Sequence, residues 1–330
     1  MKILLVRLSS IGDLIHTLPA IDDLSRMRPD VELHWLSEVG FADIARLHPF
    51  VRQVHTMRWR QWRKQLSAPD TWREMNRLRI GLQRNKFDVV LDSQGLLKSA
   101  AFSKIANVPI KGLNFQSARE PWAALLYNQT FQVDKRGNAV WRNRMLFAQT
   151  FGYSLPQTMS FGVVVPESAH INGLPERFHV ALHATSRDSK LWPLNHWLEL
   201  LTRLNGQDGA AVMLPWGNDV EKKRAEAIAA NLPFAIVCER LDLLQAAYLL
   251  DRADSVIGVD TGLLHLANAL DKPLVGIYTD TDPVKTGVQT SAWAQNIGGV
   301  GQMPTVDAVY DLLQQSLLAQ PVVGEHKLVT

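Results

Sequence analysis

Residues 256–270 read VIGVDTGLLHLANAL, and the fold turns on how that stretch divides. Val256-Ile257-Gly258-Val259 has the character of a strand buried on both faces. Asp260-Thr261-Gly262 follows as a turn, and Leu263, Leu264, His265, Leu266 and Ala267 open an apolar helical pattern. A strand that passes directly into a helix leaves the first N–H groups of that helix without partners. Together with the positive end of the helix dipole they suit a phosphate. Gly262, with no Cβ, lets a diphosphate approach the backbone, and His265 lies about one turn further on. The same residues fit a capped core helix with a buried histidine, so the rest of the chain has to decide.

Outward from this stretch the same grammar recurs. Strands are expected at residues 2–8, 31–36, 51–57, 87–91 and 108–113, then at 179–183, 210–214, 234–238 and 274–278. Between them lie helical patterns, including one from Leu14 to Leu24 that Pro19 should kink, two at 116–128 and 138–151, and a last one at 305–318. Alternating β and α predicts doubly wound parallel sheets. Around 152–173 the pattern weakens, with Pro156, Pro166 and Asn172-Gly173, and then restarts. Two Rossmann-like α/β domains facing a cleft are therefore expected, residues 1–160 and 161–330.

The chain's 330 residues are a natural length for two domains. A single cysteine, Cys238, leaves no internal disulfide framework and fits a reducing compartment. The opening MKILLVRLSSIGD is broken by Arg7 and lacks the pattern of a secretory signal, and no apolar run approaches the ~20 residues that span a bilayer. A cytoplasmic location is expected. The net charge of +3 conceals an asymmetry. Residues 1–150 hold 23 Lys and Arg against 13 Asp and Glu, whereas the remainder holds 12 against 19. The densest basic stretch, Arg52 to Lys86, is interleaved with Trp59, Trp62 and Trp72. It favours an acidic partner, a nucleic acid or an anionic membrane surface, over a merely solvated face.

Ligands of open α/β sheets bind beyond the carboxyl ends of the strands. The polar clusters at 9–13, 92–95, 184–190, 215–218, 260–262 and 279–282 all sit there. Asp13, beside Ser10 and Gly12, is a candidate general base or else a helix cap. Lys190 with Thr185 and Ser186 suits a leaving diphosphate or a plain surface loop. Glu221 could accept from ribose hydroxyls or serve the electrostatics of its helix. No HExxH, G-x-G-x-x-G or G-x-S-x-G occurs, which speaks against a zinc protease, a dehydrogenase and an α/β-hydrolase.

Six motifs together resemble the bacterial heptosyltransferases that build the lipopolysaccharide inner core. They are SSIGDLIHTLPA (9–20), DSQGLLKSA (92–100), AREPWAALLYN (118–128), HATSRDSKLWP (183–193), LPWG (214–217) and VDTGLLHLANAL (259–270). WRQWRK (59–64) and AREP (118–121) look most like the members that add the first heptose. The resemblance implies a glycosyltransferase B fold, with the acceptor domain first and the last helix, about 305–320, crossing back onto it. It implies inverting, metal-independent transfer of L-glycero-D-manno-heptose from ADP-heptose to a Kdo hydroxyl of Kdo2-lipid A. The nucleotide sugar is then a substrate and no cofactor is expected. Asp13 maps onto the family's base. Thr185, Ser186, Lys190, Glu221, Asp260, Thr261, Gly262 and His265 map onto the donor pocket, and Ser10, Arg60, Arg63, Lys64, Lys98 and Arg119 onto the acceptor side. Domain closure would bring base and donor together. Partners are the two substrates and the anionic inner-leaflet surface at the cytoplasmic face of the inner membrane, with no nucleic acid. The chain departs from the family at Thr279-Asp280, where Gly-Pro is common, so no contact is assigned there. Ser186 stands for a threonine and keeps the hydroxyl, and Leu241, standing for a methionine, only packs. Three other readings are weighed against this one: a member that adds the second heptose, a basic nucleic-acid-binding α/β protein, and a nucleotide-sugar epimerase, which would need a glycine fingerprint the chain lacks.

Overall fold

The computed structural model describes residues 1–319, which fall into two units dividing between Val164 and Val165. The first is built on β1 (Lys2–Val6), β2 (Glu32–Glu38), β3 (Val51–Met57), β4 (Val89–Asp92), β5 (Ile110–Leu113) and β6 (Gln129–Phe131). They form one sheet in the order β3-β2-β1-β4-β5-β6, parallel throughout. The second holds β7 (Phe178–Leu182), β8 (Ala211–Leu214), β9 (Ala235–Val237), β10 (Ser255–Val259), β11 (Leu274–Tyr278) and β12 (Ala294–Gly298). Its order is β12-β11-β10-β7-β8-β9, again all parallel. Each sheet repeats the order 3-2-1-4-5-6 within its unit, the doubly wound arrangement of dinucleotide-binding folds.

The central strands are apolar on both faces because helices cover both. Ile3, Leu4, Leu5 and Val6 of β1 are fully buried, and so are Val256, Ile257 and Val259 of β10. A Cβ on Gly258 would meet Leu182 Cβ at 2.8 Å and Leu264 Cδ1 at 3.2 Å. The bare glycine lets the helix Gly262–Ala269 lie close on its own strand. Strand order reverses between β1 and β4 and between β7 and β10, so each unit has a crevice where those two strands end.

Pro19 does not kink one helix; it opens a second. The segment is split into Ile11–Ile15 and Leu18–Met27, with the proline in the first turn, where its missing N–H costs nothing. The helical reading of 116–128 is corrected to a short 3-10 stretch, Pro121–Leu126, followed by the edge strand β6. That strand and β12 went unread because QTF and AQNIG carry little apolar signal. The last helix, Val306–Ala319, packs on the helix Leu194–Asp208 and on β11, with Val309 and Leu313 in the core of the second unit. Of the helix expected at about 305–320, residue 320 lies outside the described residues.

Candidate active site

In the first unit the crevice forms around Asp13. β4 ends in Asp92, fully buried, whose carboxylate accepts the N–H groups of Gln94 at 2.9 Å and Gly95 at 3.2 Å and the Tyr127 hydroxyl at 2.8 Å. This fixes the loop 93–95. Gln94 then reaches across to the turn after β1, accepting the Leu8 N–H at 2.7 Å and donating to the Ser9 carbonyl at 3.2 Å. The two loops of the switch point are thereby locked together. Ser10, at the N-cap of Ile11–Ile15, donates its N–H to Asp13 Oδ2 at 2.9 Å and its hydroxyl to the same oxygen at 3.3 Å. The alternative cap reading of Asp13 is thus partly met: it closes a capping box from the third helical position.

Its other oxygen belongs to the crevice. Arg7 Nη2 donates to Asp13 Oδ1 at 3.1 Å, while Nη1 holds the Ser93 carbonyl. Burial works to raise the Asp13 carboxyl. Arg7, the Ser10 N–H, His16 and Arg119 outweigh it and hold the group below the usual carboxylate range. Asp13 is therefore ionised at neutral pH. It lines a cavity of about 400 Å³ with Arg7, Arg119, Lys135 and Arg142. Four cations against one carboxylate make this a pocket for an anion. Arg142 donates to the Ser117 carbonyl at 2.6 Å, and the buried Nε atoms of Arg142 and Arg7 have no hydrogen-bond partner.

Of the basic residues read as acceptor contacts, Arg119 lines this cavity. Lys98 is half-buried at the start of the helix Leu97–Lys104. Burial lowers its pKa; Glu38 and Glu120 act to raise it, and Arg60 and Arg63 to lower it. Arg60 places its guanidinium 4.7 Å from the Phe41 ring centre. Arg60, Arg63 and Lys64 are exposed. The tryptophans among them do not share this role. Trp62 is buried, its indole N–H on Glu74 Oε2 at 2.7 Å, and Trp59 packs edge-on against Phe102. Two of the three interleaved aromatics thus serve the core, and the third, Trp72, is exposed.

In the second unit β7 and β10 end side by side at the switch point. Asp260, buried after β10, binds Lys190 Nζ through Oδ2 at 2.6 Å. The same oxygen accepts the Thr281 hydroxyl at 2.7 Å, and the Asp260 carbonyl accepts that of Thr185 at 2.8 Å. His265 Nε2 lies 4.0 Å from Asp260 Oδ1. Thr261 is the N-cap of Gly262–Ala269, but its side chain makes no capping bond. Asp260 therefore does not simply cap a core helix, whereas Thr261 holds the N-cap position. The polar atoms of Asp260 serve a cluster that gathers Lys190, Thr185, Thr281 and His265 beside a helix N-terminus. Ser186 is exposed in the same loop. Glu221 accepts the Gly217 N–H at 2.7 Å and the Asn218 amide at 2.8 Å, while Asn218 caps the helix. It stands at the end of β8, the next strand out from β7.

The sequence model of glycosyltransferase family 9 (heptosyltransferase) matches residues 75–311. This chain belongs to glycosyltransferase family 9. Lipopolysaccharide heptosyltransferase 1 of Escherichia coli K12 is 39% identical over 287 residues, spanning 86% of this chain and 89% of that protein. The structure titled E. coli heptosyltransferase WaaC with ADP superposes with a TM-score of 0.88 at 36% identity, covering 96% of this chain and all of the other. The structure of the same enzyme with ADP-2-deoxy-2-fluoro heptose gives 0.84, with 96% and 99% covered. Lipopolysaccharide heptosyltransferase 2 of Salmonella typhimurium matches only 29% of this chain and 28% of that protein, at 31% identity. The glycosyltransferase B architecture and the transferase class expected from the motifs therefore stand, and the second-heptose reading is not favoured.

Several residues of these two candidate crevices escaped the sequence. Arg7 stood out only as a charge that breaks an apolar run, and Arg142 and Lys135 gave no local signal. Thr281 sits in the divergent turn to which no contact had been assigned, yet it shares the Asp260 oxygen with Lys190. Among the described residues no group of three or more His, Cys, Asp or Glu side chains is placed to hold a metal ion.

Proposed function

We propose that this protein transfers L-glycero-D-manno-heptose from ADP-heptose to a Kdo hydroxyl of Kdo2-lipid A, with inversion and without a metal ion. The observation that carries the reading is the Asp13 cavity, an ionised carboxylate set among four cations. Kdo is an acidic sugar, so its carboxylate would be held by Arg7, Arg119, Lys135 and Arg142. A hydroxyl of the same sugar is thereby offered to Asp13, whose Oδ1, bonded to Arg7 alone, keeps a lone pair for it. On the second unit, Lys190 and the first-turn N–H groups of Gly262–Ala269 would meet the diphosphate. As the bond from the anomeric carbon to the leaving oxygen breaks, negative charge grows on ADP. Donors already aimed there stabilise that charge more than the ground state. Asp13 takes the hydroxyl proton as the new bond forms on the opposite face. Thr185, Ser186, Thr261 and His265 complete the donor pocket, and Glu221 accepts from the ribose. The basic surface carrying Arg60, Arg63, Lys64 and Lys98 would face the acceptor's phosphates and the anionic cytoplasmic leaflet, making the enzyme peripheral to the inner membrane. No helix among the described residues is long and apolar enough to cross a membrane.

The test is ADP release from ADP-heptose with EDTA present, on Kdo2-lipid A and, in parallel, on the same acceptor already carrying one heptose. Turnover on the first alone is expected. Turnover on the second alone moves the enzyme one step along the pathway. No turnover on either, with ADP still bound, removes the substrate assignment and leaves the nucleotide site.

A further inference from the structure

The segment Pro121–Leu126 is built inside out. Its small residues, Ala123 and Ala124, face the core, while Trp122 is 62% exposed and Leu125 is 71% exposed. Burial of apolar surface drives folding, so large apolar side chains turned outward over buried alanines contribute nothing to this unit's own core. They are not alone. Phe115 is exposed and stands edge-on to Trp122, ring centres 5.4 Å apart. Leu97 is exposed at the start of the neighbouring helix, which packs on this segment, and its N–H is held by Glu120 Oε2 at 2.7 Å. Four large exposed apolar side chains from three neighbouring stretches of chain thus gather about Pro121–Leu126. Grouping of this kind marks an interaction surface, whereas singly scattered apolar residues do not.

The surroundings choose the partner. Lys98 follows Leu97 directly and lies within electrostatic reach of Arg60 and Arg63. Arg119, two residues before Pro121, lines the Asp13 cavity. The nearest acids are Glu120, engaged by the Leu97 N–H, and Glu38, engaged by the Arg60 N–H at 3.1 Å. An apolar tip carrying an indole, ringed by cations, matches the headgroup region of an anionic bilayer, where tryptophan settles and Lys and Arg meet lipid phosphates. We infer that Leu97, Phe115, Trp122 and Leu125 form a membrane-docking tip that seats the first unit on an anionic bilayer surface beside the Asp13 cavity. This rests on the acceptor reading above, since a lipid-anchored sugar must be taken from the membrane plane. The tip, unlike the cavity, touches none of the reacting groups.

The experiment is co-sedimentation with phosphatidylcholine vesicles with and without phosphatidylglycerol, using the full chain, Leu125→Ser, and Trp122→Ser with Leu125→Ser. ADP release on Kdo2-lipid A and on its water-soluble deacylated form is measured alongside. The anionic vesicles should bind the unaltered chain, less so at high salt. The double variant should lose at least about tenfold in partitioning, as expected for two large apolar side chains withdrawn from a lipid interface. Its turnover on the deacylated acceptor should be unchanged. Leu125→Ser, at a position already in water, guards against a folding defect and should lose part of the binding. Vesicle binding unaffected by both variants, or absent in the unaltered chain, overturns the inference. So does a parallel loss of turnover on the deacylated acceptor, which would place the segment in the sugar site. Conversion of a dimer to a monomer by the double variant also overturns it, since the patch would then bind a second copy. Loss of vesicle binding in a chain that never turns over either acceptor upholds the tip and removes the substrate reading instead.

Discussion

Asp13 carries two duties on two oxygens, one closing a capping box with Ser10 and one facing Arg7 and the cavity. Asparagine keeps an oxygen for the Ser10 N–H but cannot accept a proton at neutral pH. Asp13→Asn should therefore fold, bind ADP as before and lose about 10²- to 10⁴-fold in turnover; near-normal kcat would end its assignment as the base. Arg7 offers a subtler probe. Burial pushes the Asp13 carboxyl up and Arg7 leads the groups that pull it down. The base is active when ionised, so the acid limb of kcat/KM against pH lies below the usual carboxylate range. In Arg7→Met burial acts with less opposition, and that limb should move toward neutrality while ADP affinity stays put. An unmoved limb would show that another group sets it. At the donor site the Lys190 ammonium neutralises Asp260 at 2.6 Å. Lys190→Ala removes a cation from the diphosphate and uncovers a carboxylate beside it. ADP binding measured by calorimetry should weaken by about ten- to a hundredfold, the value of a charge-assisted hydrogen bond.

At the scale of elements, the reading from sequence succeeded where chemistry is local. β3 and β11 were bounded to the residue, and the loops after strands were identified as the polar site because apolar runs and turn residues mark both ends of a buried strand. What failed was long-range. Arg7 acquires its meaning from Ser93 and Asp13, and Thr281 from Asp260, pairings that no periodicity encodes. Pro121–Leu126 misled because its apolar spacing imitates a helix while its large side chains face outward. The helices Leu18–Met27 and Ala139–Phe151 show a further hidden pairing. Arg144 grips the fully buried Asp23 with Nε at 2.6 Å and Nη2 at 3.1 Å, and Arg26 adds a third bond at 2.9 Å. Removing Arg144 leaves the buried carboxylate with only the bond from the more exposed Arg26. Arg144→Met should cost about 3–5 kcal/mol by urea unfolding. The exposed pair of Arg73 and Asp70 should be worth under ~1 kcal/mol by the same measurement.

Over the whole molecule, acid sensitivity should be set by buried imidazoles in both units. Burial pulls His48, His55 and His183 down to about 4, and for His55 the neighbouring His34 adds to the effect. In the unfolded chain each titrates near ~6.5. Between those values the unfolded state binds protons that the folded state refuses. Stability is complete above about pH 6.5 and falls as pH drops toward 4, by up to ~1.4 kcal/mol per pH unit for each group. Asp22 and Asp92, raised by burial, act in the opposite sense near the acid end of that window, and Asp13, lowered, adds to the loss there. Burial lowers His34 as well, so three of these four histidines lie in the first unit and one in the second, and the first should lose stability faster and unfold earlier at pH 5.5. ADP, if it binds the second unit, should raise the later transition more than the earlier one. His48 gives the sharpest check. Its Nδ1 accepts the Phe50 N–H at 3.2 Å, a bond that protonation would break. Asparagine can supply an oxygen to the same N–H without titrating. His48→Asn should leave the first transition nearly unchanged at pH 7.5 and flatten its decline between pH 6.5 and 4.5, because one of the unit's three proton-linked imidazoles is gone. An unaltered slope would assign the acid sensitivity to the carboxylates and relieve the histidines of it.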